Sequence, residues 1–599
     1  MLSDLLELFK LVNSGHKRKL LFIQISIFFM AMAELLTVVS IVPFMAVIGD
    51  PSILNTNQIF ISTINFLSIE IHESNLIFYL GLLVISAILL STLISVCTVW
   101  FINIQAAKIG FELASSLYKN YMTQTWTFHT LNHSSKLTNK IMNEASRLTS
   151  HIITPILQMN ARLVVIFFIV GGLIFASPVV AILSVSIFSL AYLIIFYLIR
   201  RKLEKNSITL TSEGEKRVQL INEGFGGIKE TLILGRQYFF INRFVDSSNK
   251  VAKAGATNQA FSQMPRYALE FLAFVGLVSI VLTFHALNKG DINSILPIVS
   301  MFAIAAFKLL PAFQILFSSI SMIQGNISAI HSLKGDLDSS KNLSIIGESN
   351  INYKLQFEKE IAFSNISFTY PGKDIPALTN ININIPKNHK IAMVGSSGAG
   401  KSTMIDILLG LITPSDGIIK IDGEELDQSR LRIFQNNIGF VPQSIFLSDA
   451  SILENIAFGL PIEQINMSAI RKSIKLARLD EFVDSLEDGL DTMIGERGVQ
   501  ISGGQKQRIS IARALYNDAD LLVFDEATSA LDGNTERSVM NEINNLSKTK
   551  TIVLVAHRIS TVKECDCIYF FKDGHIIDKG SFSELFERNA TFRNMAEIS

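Results

Sequence analysis

Six apolar runs constrain this chain more than any other feature. They lie near Leu20 to Ile48, Leu76 to Gln105, Pro155 to Ala176, Val179 to Leu198, Ala268 to Leu287 and Ile295 to Met322. A bilayer's hydrocarbon core is about 30 Å thick and takes about 20 residues of helix, whose backbone groups satisfy one another without water. Runs this long with so few charges predict an α-helical transmembrane domain of six spans, the third and fourth joined at Ser177-Pro178 by almost no loop.

Charge placement predicts the orientation. His16-Lys17-Arg18-Lys19 precedes the first span, Lys108 and Lys119 follow the second, and Arg200-Arg201-Lys202 follows the fourth, whereas Gly49 to Asn75 holds no Lys or Arg. The N-terminus is therefore expected in the cytoplasm, and six crossings return the C-terminal half there. The polar stretches after spans two and four keep a helical period and are expected to continue as long cytoplasmic helical extensions. Leu2, Leu5, Leu6, Phe9, Leu11 and Val12 predict an amphipathic helix on the inner surface, and Ile59, Phe60, Thr63, Ile64 and Leu67 one on the outer surface. Met1 to Leu20 lacks a small-residue cleavage site, so the first span is expected to stay on the protein.

Composition excludes little else. Across 599 residues 52 Lys and Arg balance 52 Asp and Glu, so no charge excess points to a nucleic acid. Cys97 lies in an apolar run and Cys565 and Cys567 form a lone C-x-C, too few for zinc or a disulfide framework, and all three are expected to be buried or incidental thiols.

From Ile361 the pattern changes to short β-rich runs alternating with helical ones, which predicts an α/β P-loop nucleotide-binding domain. The expected division is residues 1–335 for the membrane domain, 336–356 for a linker and 357–599 for the nucleotide domain. Ile391-Ala392-Met393-Val394 reads as a buried strand leading into Gly395-Ser396-Ser397-Gly398-Ala399-Gly400-Lys401-Ser402, with Thr403 to Leu409 as the helix behind it. Loop amides and a helix N-terminus at that spacing cradle phosphates. Leu521-Leu522-Val523-Phe524-Asp525-Glu526 reads as a second buried strand ending in two carboxylates, Asp525 placed for magnesium and Glu526 for an attacking water.

Between these elements stands Ile501-Ser502-Gly503-Gly504-Gln505, followed by Lys506-Gln507-Arg508. With it the chain resembles an ATP-binding cassette exporter, a half-transporter, along nearly its whole length. The family's signature is most often L-S-G-G-Q, and Ile501 departs from it conservatively. The resemblance implies a dimer, homodimer or heterodimer, in which Ser502, Gly503, Gly504 and Gln505 of one subunit close over the phosphate loop of the other around two ATP molecules. It further implies adenine stacking on Tyr370 in Ser367-Phe368-Thr369-Tyr370-Pro371-Gly372, magnesium sensing by Gln443 after Phe440-Val441-Pro442, and an interfacial Asp532 in Ser529-Ala530-Leu531-Asp532. His557 in Val555-Ala556-His557-Arg558 would contact the γ-phosphate, and Gly495-Glu496-Arg497-Gly498 would touch the cytoplasmic helices. Lys401 and the loop amides, through Thr403, would hold phosphate, with Ser402 and Asp525 on Mg2+.

Ionisable residues inside apolar runs are the clues to cargo, since each costs about 2.5 to 3.5 kcal/mol at mid-bilayer on insertion scales. Glu34, Arg162, Arg266, Glu270 and Lys308 are such residues, and they should face one another or a watery cavity. Arg266 and Glu270, four apart, would pair on one helical face. Within the exporters, Ala33-Glu34 to Val42-Pro43-Phe44, Met264-Pro265-Arg266-Tyr267-Ala268-Leu269-Glu270 and Leu309-Leu310-Pro311 after Lys308 resemble the bacterial lipid-linked oligosaccharide flippase of protein N-glycosylation. That family carries basic residues in its cavity, and Arg266 and Lys308 stand at two such places, while the second span has no internal Lys or Arg. The resemblance implies a flippase of a polyprenyl-diphosphate glycolipid in the bacterial inner membrane. The alternative is an exporter of other amphipathic lipids, drugs or peptides.

Overall fold

The structure is a computed structural model, and it describes residues 17–49, 73–176, 178–287, 296–340, 354–355, 357–495, 498–526, 533–556 and 559–598. Both amphipathic stretches read from the sequence lie outside these residues. Contacts divide the chain into two compact units, Met1–Gln124 with Phe128–Ser344 and Thr125–Thr127 with Ile345–Ser599.

The first unit is helical throughout its described residues. In chain order the helices are α1 (Lys17–Gly49), α2 (Glu73–Met122), α3 (Trp126–Leu131, whose first two residues belong to the second unit), α4 (Ser134–Asn139), α5 (Ala145–Leu148), α6 (Thr154–Ala176), α7 (Pro178–Gly226), α8 (Ile228–Ile233), α9 (Gln237–Gln263), α10 (Pro265–Leu287), α11 (Leu296–Gln324) and α12 (Ser328–Ser340). Among the described residues, four helices are long and apolar enough to cross a membrane: Leu21–Met45, Ile77–Met122, Ser134–Ile174 and Ala306–Gln324. They carry the first, second, third and sixth apolar runs, and the fourth and fifth fall on α7 and α10. At 1.5 Å per residue, the 50 residues of α2 and 49 of α7 each span about 75 Å, more than twice a hydrocarbon core.

The bundle core is built by Ile27 and Met30 of α1, Ile102 and Leu117 of α2, Ile169 of α6 and Phe317 of α11. Phe78, Leu82, Ile85, Leu89, Leu93 and Trp100 of α2 remain exposed, as expected of a helix apolar all round whose outer face meets lipid. Close packing is enforced at Gly110, where an added Cβ would stand 2.3 Å from Thr149 Oγ1. Two of the charges inside the spans pair: Arg162 of α6 lies 3.2 Å from Glu34 of α1, and Ser95 of α2 donates to the same carboxylate oxygen.

Between α4 and α6 the helix is widened twice into underwound π turns, Lys140–Glu144 and Thr149–Ile153. Arg147 sits between them and is the hub of a polar cluster. Its guanidinium donates to Glu144 Oε1 at 2.9 Å, Thr211 Oγ1 at 2.9 Å, Asn326 Oδ1 at 2.9 Å and Ser328 Oγ at 2.7 Å. Residues of α7 and of the turn between α11 and α12 are thereby tied to one side chain.

The second unit is built on two sheets. Strands β1 (Glu360–Phe368), β2 (Leu378–Pro386), β4 (Asp416–Ile421) and β5 (Glu424–Glu425) form an antiparallel sheet in the order β2-β1-β4-β5. Strands β3 (Lys390–Gly395), β6 (Ile438–Val441), β7 (Leu521–Asp525), β8 (Thr551–Val555), β9 (Cys567–Lys572) and β10 (His575–Gly580) form the other, ordered β10-β9-β3-β8-β7-β6 and parallel except for the β10 edge. Its inner strands are buried on both faces, which is why they read as unbroken apolar runs. Successive side chains point to opposite faces. Met393, Val523 and Val553 enter one core with helix α13 (Lys401–Leu408), whereas Val394, Leu522 and Leu554 enter another with helix α14 (Gly503–Tyr516).

Candidate functional site

The phosphate loop leaves the carboxyl end of β3, where open parallel sheets place their ligand sites. An added Cβ at Gly395 would stand 2.3 Å from the Phe571 carbonyl oxygen of the neighbouring strand β9. Gly400 has φ +100° and caps α13, and a Cβ there would meet Ala377 O at 2.8 Å. Helix α13 therefore begins at Lys401, two residues before the start read from the sequence, because the left-handed glycine turns the chain there.

Lys401 is almost fully buried and its ammonium donates to Gly395 O at 2.8 Å and Ser396 O at 2.9 Å. Burial pulls its pKa below the ordinary lysine value, and the nearby Glu526 and Asp525 work against that pull. Phosphate oxygens would satisfy this cation better than carbonyls do. Tyr370 is held edge-on to Phe368, with its hydroxyl 3.2 Å from Thr403 Oγ1 on α13. Ser402 is exposed at the helix start, with Ser396, Ser397, Gly398 and Ala399 in the loop before it.

Strand register brings the second cluster to the same edge. Val441 of β6 lies opposite Phe524 of β7, and Asp525 opposite Val555 of β8. Glu526, next after β7, takes φ +51°, a left-handed conformation uncommon for a residue with a Cβ, and its N–H donates to Val555 O at 3.1 Å. Strain of this kind collects at functional sites. Gln443 donates from Nε2 to Glu526 Oε2 at 2.7 Å. The Ser402 hydroxyl, Asp525 carboxylate and Gln443 carbonyl are hard oxygen donors of the kind magnesium takes, and no group of three or more His, Cys, Asp or Glu among the described residues forms an all-protein cage.

Ser502 caps α14 in a reciprocal box: its hydroxyl accepts from Gln505 N–H at 3.2 Å while Gln505 Oε1 accepts from Ser502 N–H at 2.8 Å. Gly503 and Gly504 form the first turn behind it. His557, Asp532, Glu496 and Arg497 lie outside the described residues.

Three features escaped the sequence reading. Arg513 of α14 donates to Asn455 O at 2.8 Å and Phe446 O at 3.0 Å and lies over the Phe458 ring, fixing the segment that follows Gln443, and burial without a carboxylate pushes its pKa down to about 10. Asp406 on α13 accepts from the Trp126 indole, and burial raises its carboxyl to about 6. Arg147 is the third. None has a local sequence pattern, since their partners are brought together only by the fold.

In the membrane unit, Arg266 Nε donates to Glu270 Oε1 at 2.5 Å, the pairing their spacing predicts. Both line a cavity of about 50 Å³ with Tyr192 of α7 and Leu310, Pro311 and Gln314 of α11. Lys308, on the same helix as Gln314, is not among its lining residues.

Buried parallel strands, a phosphate loop and an acidic pair beside it, in one chain with helices that cross a membrane, define a membrane-coupled P-loop ATPase. The family described as "ABC transporter" matches residues 378–529, and "ABC transporter transmembrane region" matches residues 20–308. The chain is an ATP-binding cassette half-transporter, an ATP-hydrolysing, membrane-spanning exporter. The ATP-dependent lipid A-core flippases of Salmonella paratyphi A and Escherichia coli K12 are each 27% identical to it, over 532 and 535 residues, covering 88% of this chain and 89% of theirs. A bacterial Atm1-family ABC exporter solved with ATP bound matches the fold with a TM-score of 0.77 at 19% identity, over 98% of this chain and 99% of its own.

Proposed function

We propose that the chain works as a homodimer that uses ATP to move a polyprenyl-diphosphate glycolipid from the inner to the outer leaflet of a bacterial cytoplasmic membrane. The observation that carries the reading is the cleft between α7, α10 and α11, where Arg266 is set among residues of the lipid-facing bundle, with Lys308 on the neighbouring stretch of α11. Lys308, a cation inside an apolar span, suits an anionic lipid head. The lipid A-core flippases that the chain resembles are by name movers of a lipid, which agrees with this reading.

In this account Lys401 and the amides of Gly395 to Ser402 hold the β- and γ-phosphates, with Thr403 behind them and Tyr370 stacking on adenine. Ser402, Asp525 and Gln443 would hold magnesium, which when bound neutralises phosphate charge. Glu526 orients and deprotonates the attacking water, and His557 contacts the γ-phosphate. Ser502 to Gln505 and Asp532 complete the site from the other subunit. The opposite-face placement of α13 and α14 supports this sharing. So does the exposed apolar tip formed by Phe225, Ile233 and Tyr238 outside the apolar runs, a surface that suits a partner.

One observation favours a second reading, export of other amphipathic lipids, drugs or peptides: Glu270 neutralises Arg266. ATPase activity in liposomes separates the two. Stimulation by a polyprenyl-diphosphate sugar, lost in Lys308→Ala and weakened in Arg266→Ala, supports the glycolipid; stimulation by hydrophobic drugs alone refutes it.

A further inference from the structure

The charge balance of the cleft assigns it a narrower task. Tyr192 lines the cavity and is 8% exposed, its ring stacked on Phe317 at 4.8 Å and its buried hydroxyl without a hydrogen-bond partner among the described residues. A buried polar group left unpaired costs free energy that a bound hydroxyl or amide would recover. Arg266, which lines the same cavity, spends one donor on Glu270, so the pair carries no net charge. A phosphate placed on this arginine would also meet the Glu270 carboxylate, whereas an uncharged polyol can donate to Glu270 and accept from Arg266. Gln314 adds an amide with one donor and one acceptor end.

Size agrees. About 50 Å³ compares with roughly 10–15 Å³ for a single water, room for a few hydroxyl groups and not for an oligosaccharide. Position agrees too, because Tyr192 lies eight residues before Arg200, about 12 Å along α7 from the basic cluster Arg200-Arg201-Lys202.

We propose that Tyr192, Gln314 and the Arg266–Glu270 pair form a hydroxyl-reading subsite for the uncharged sugar of the transported lipid, with Tyr192 determining specificity. This rests on the glycolipid reading above. The test uses the full-length protein in liposomes and measures the half-stimulating concentration for ATPase of two probes, a polyprenyl diphosphate carrying a disaccharide and the same polyprenyl diphosphate without sugar. Tyr192→Phe removes one oxygen and keeps the ring. It is expected to raise the half-stimulating concentration of the glycosylated probe about three- to tenfold while leaving that of the sugar-free probe in place. Gln314→Ala is expected to act in the same direction. Equal shifts for both probes, or none for either, overturn the subsite alone. Wild-type protein stimulated by neither probe overturns the glycolipid reading and the subsite with it.

Discussion

Glu526 combines a strained backbone, a carboxylate facing the nucleotide edge and a hydrogen bond from Gln443. Glu526→Gln keeps an oxygen for that bond and removes the base. It is expected to retain ATP binding and lose about 10²- to 10⁴-fold in turnover; full turnover in a phosphate-release assay would remove Glu526 from the chemistry. Asp406 offers a pH signature. Burial raises its native pKa to about 6, above the ordinary aspartate value of 3.8, so the native state holds a proton that the unfolded chain releases between about pH 4 and 6. Its contribution to stability is present below that window and is lost as pH rises through it. Asp406→Asn mimics the protonated form and is expected to melt close to wild type at pH 4 and above it at pH 7.5. A difference that does not change with pH would contradict the burial argument. At this scale the phosphate loop, Asp525 and Glu526 were legible because spacing alone encodes them. The left-handed turn at Glu526 was not, since no glycine marks it, and the partners of Asp406 and Tyr192 depend on tertiary contacts.

Helices and strands were more legible than their fine structure. Apolar length located the spans and unbroken apolar strands located the parallel sheet, but the two π turns around Arg147 leave no periodic mark. The cluster they frame joins residues 60 to 181 positions apart. Arg147→Ala would leave Glu144 buried without its partner and is expected to cost about 3–5 kcal/mol, read as a lowered unfolding temperature of the detergent-solubilised protein. The double change Glu144→Gln with Arg147→Met removes both charges and is expected to recover much of that loss. An Arg147→Ala protein as stable as wild type would show the cluster to be structurally idle. The ion pair Arg162–Glu34 was legible in outline, because charges inside spans need partners, although which charge met which was not.

For the whole molecule, the sheet between α13 and α14 sets the scale of function. One chain puts its phosphate loop on one face and its signature helix on the other, and the resemblance to exporters already implied that two chains share each nucleotide. Lys401→Ala and Ser502→Arg chains should each be inactive alone. Mixed in one membrane they should regain turnover, because the mixed dimer holds one phosphate loop and one signature that are both intact and facing. No recovery in dimers shown to be mixed would mean that each site is built within one subunit. The central claim is tested most directly by following a fluorescent polyprenyl-diphosphate sugar in proteoliposomes on addition of ATP. The labelled lipid is expected to leave the leaflet on the nucleotide-domain side for the opposite one with wild-type protein and to stay in place with Glu526→Gln. Wild-type protein that hydrolyses ATP at full rate while the labelled lipid keeps its original leaflet distribution would contradict it.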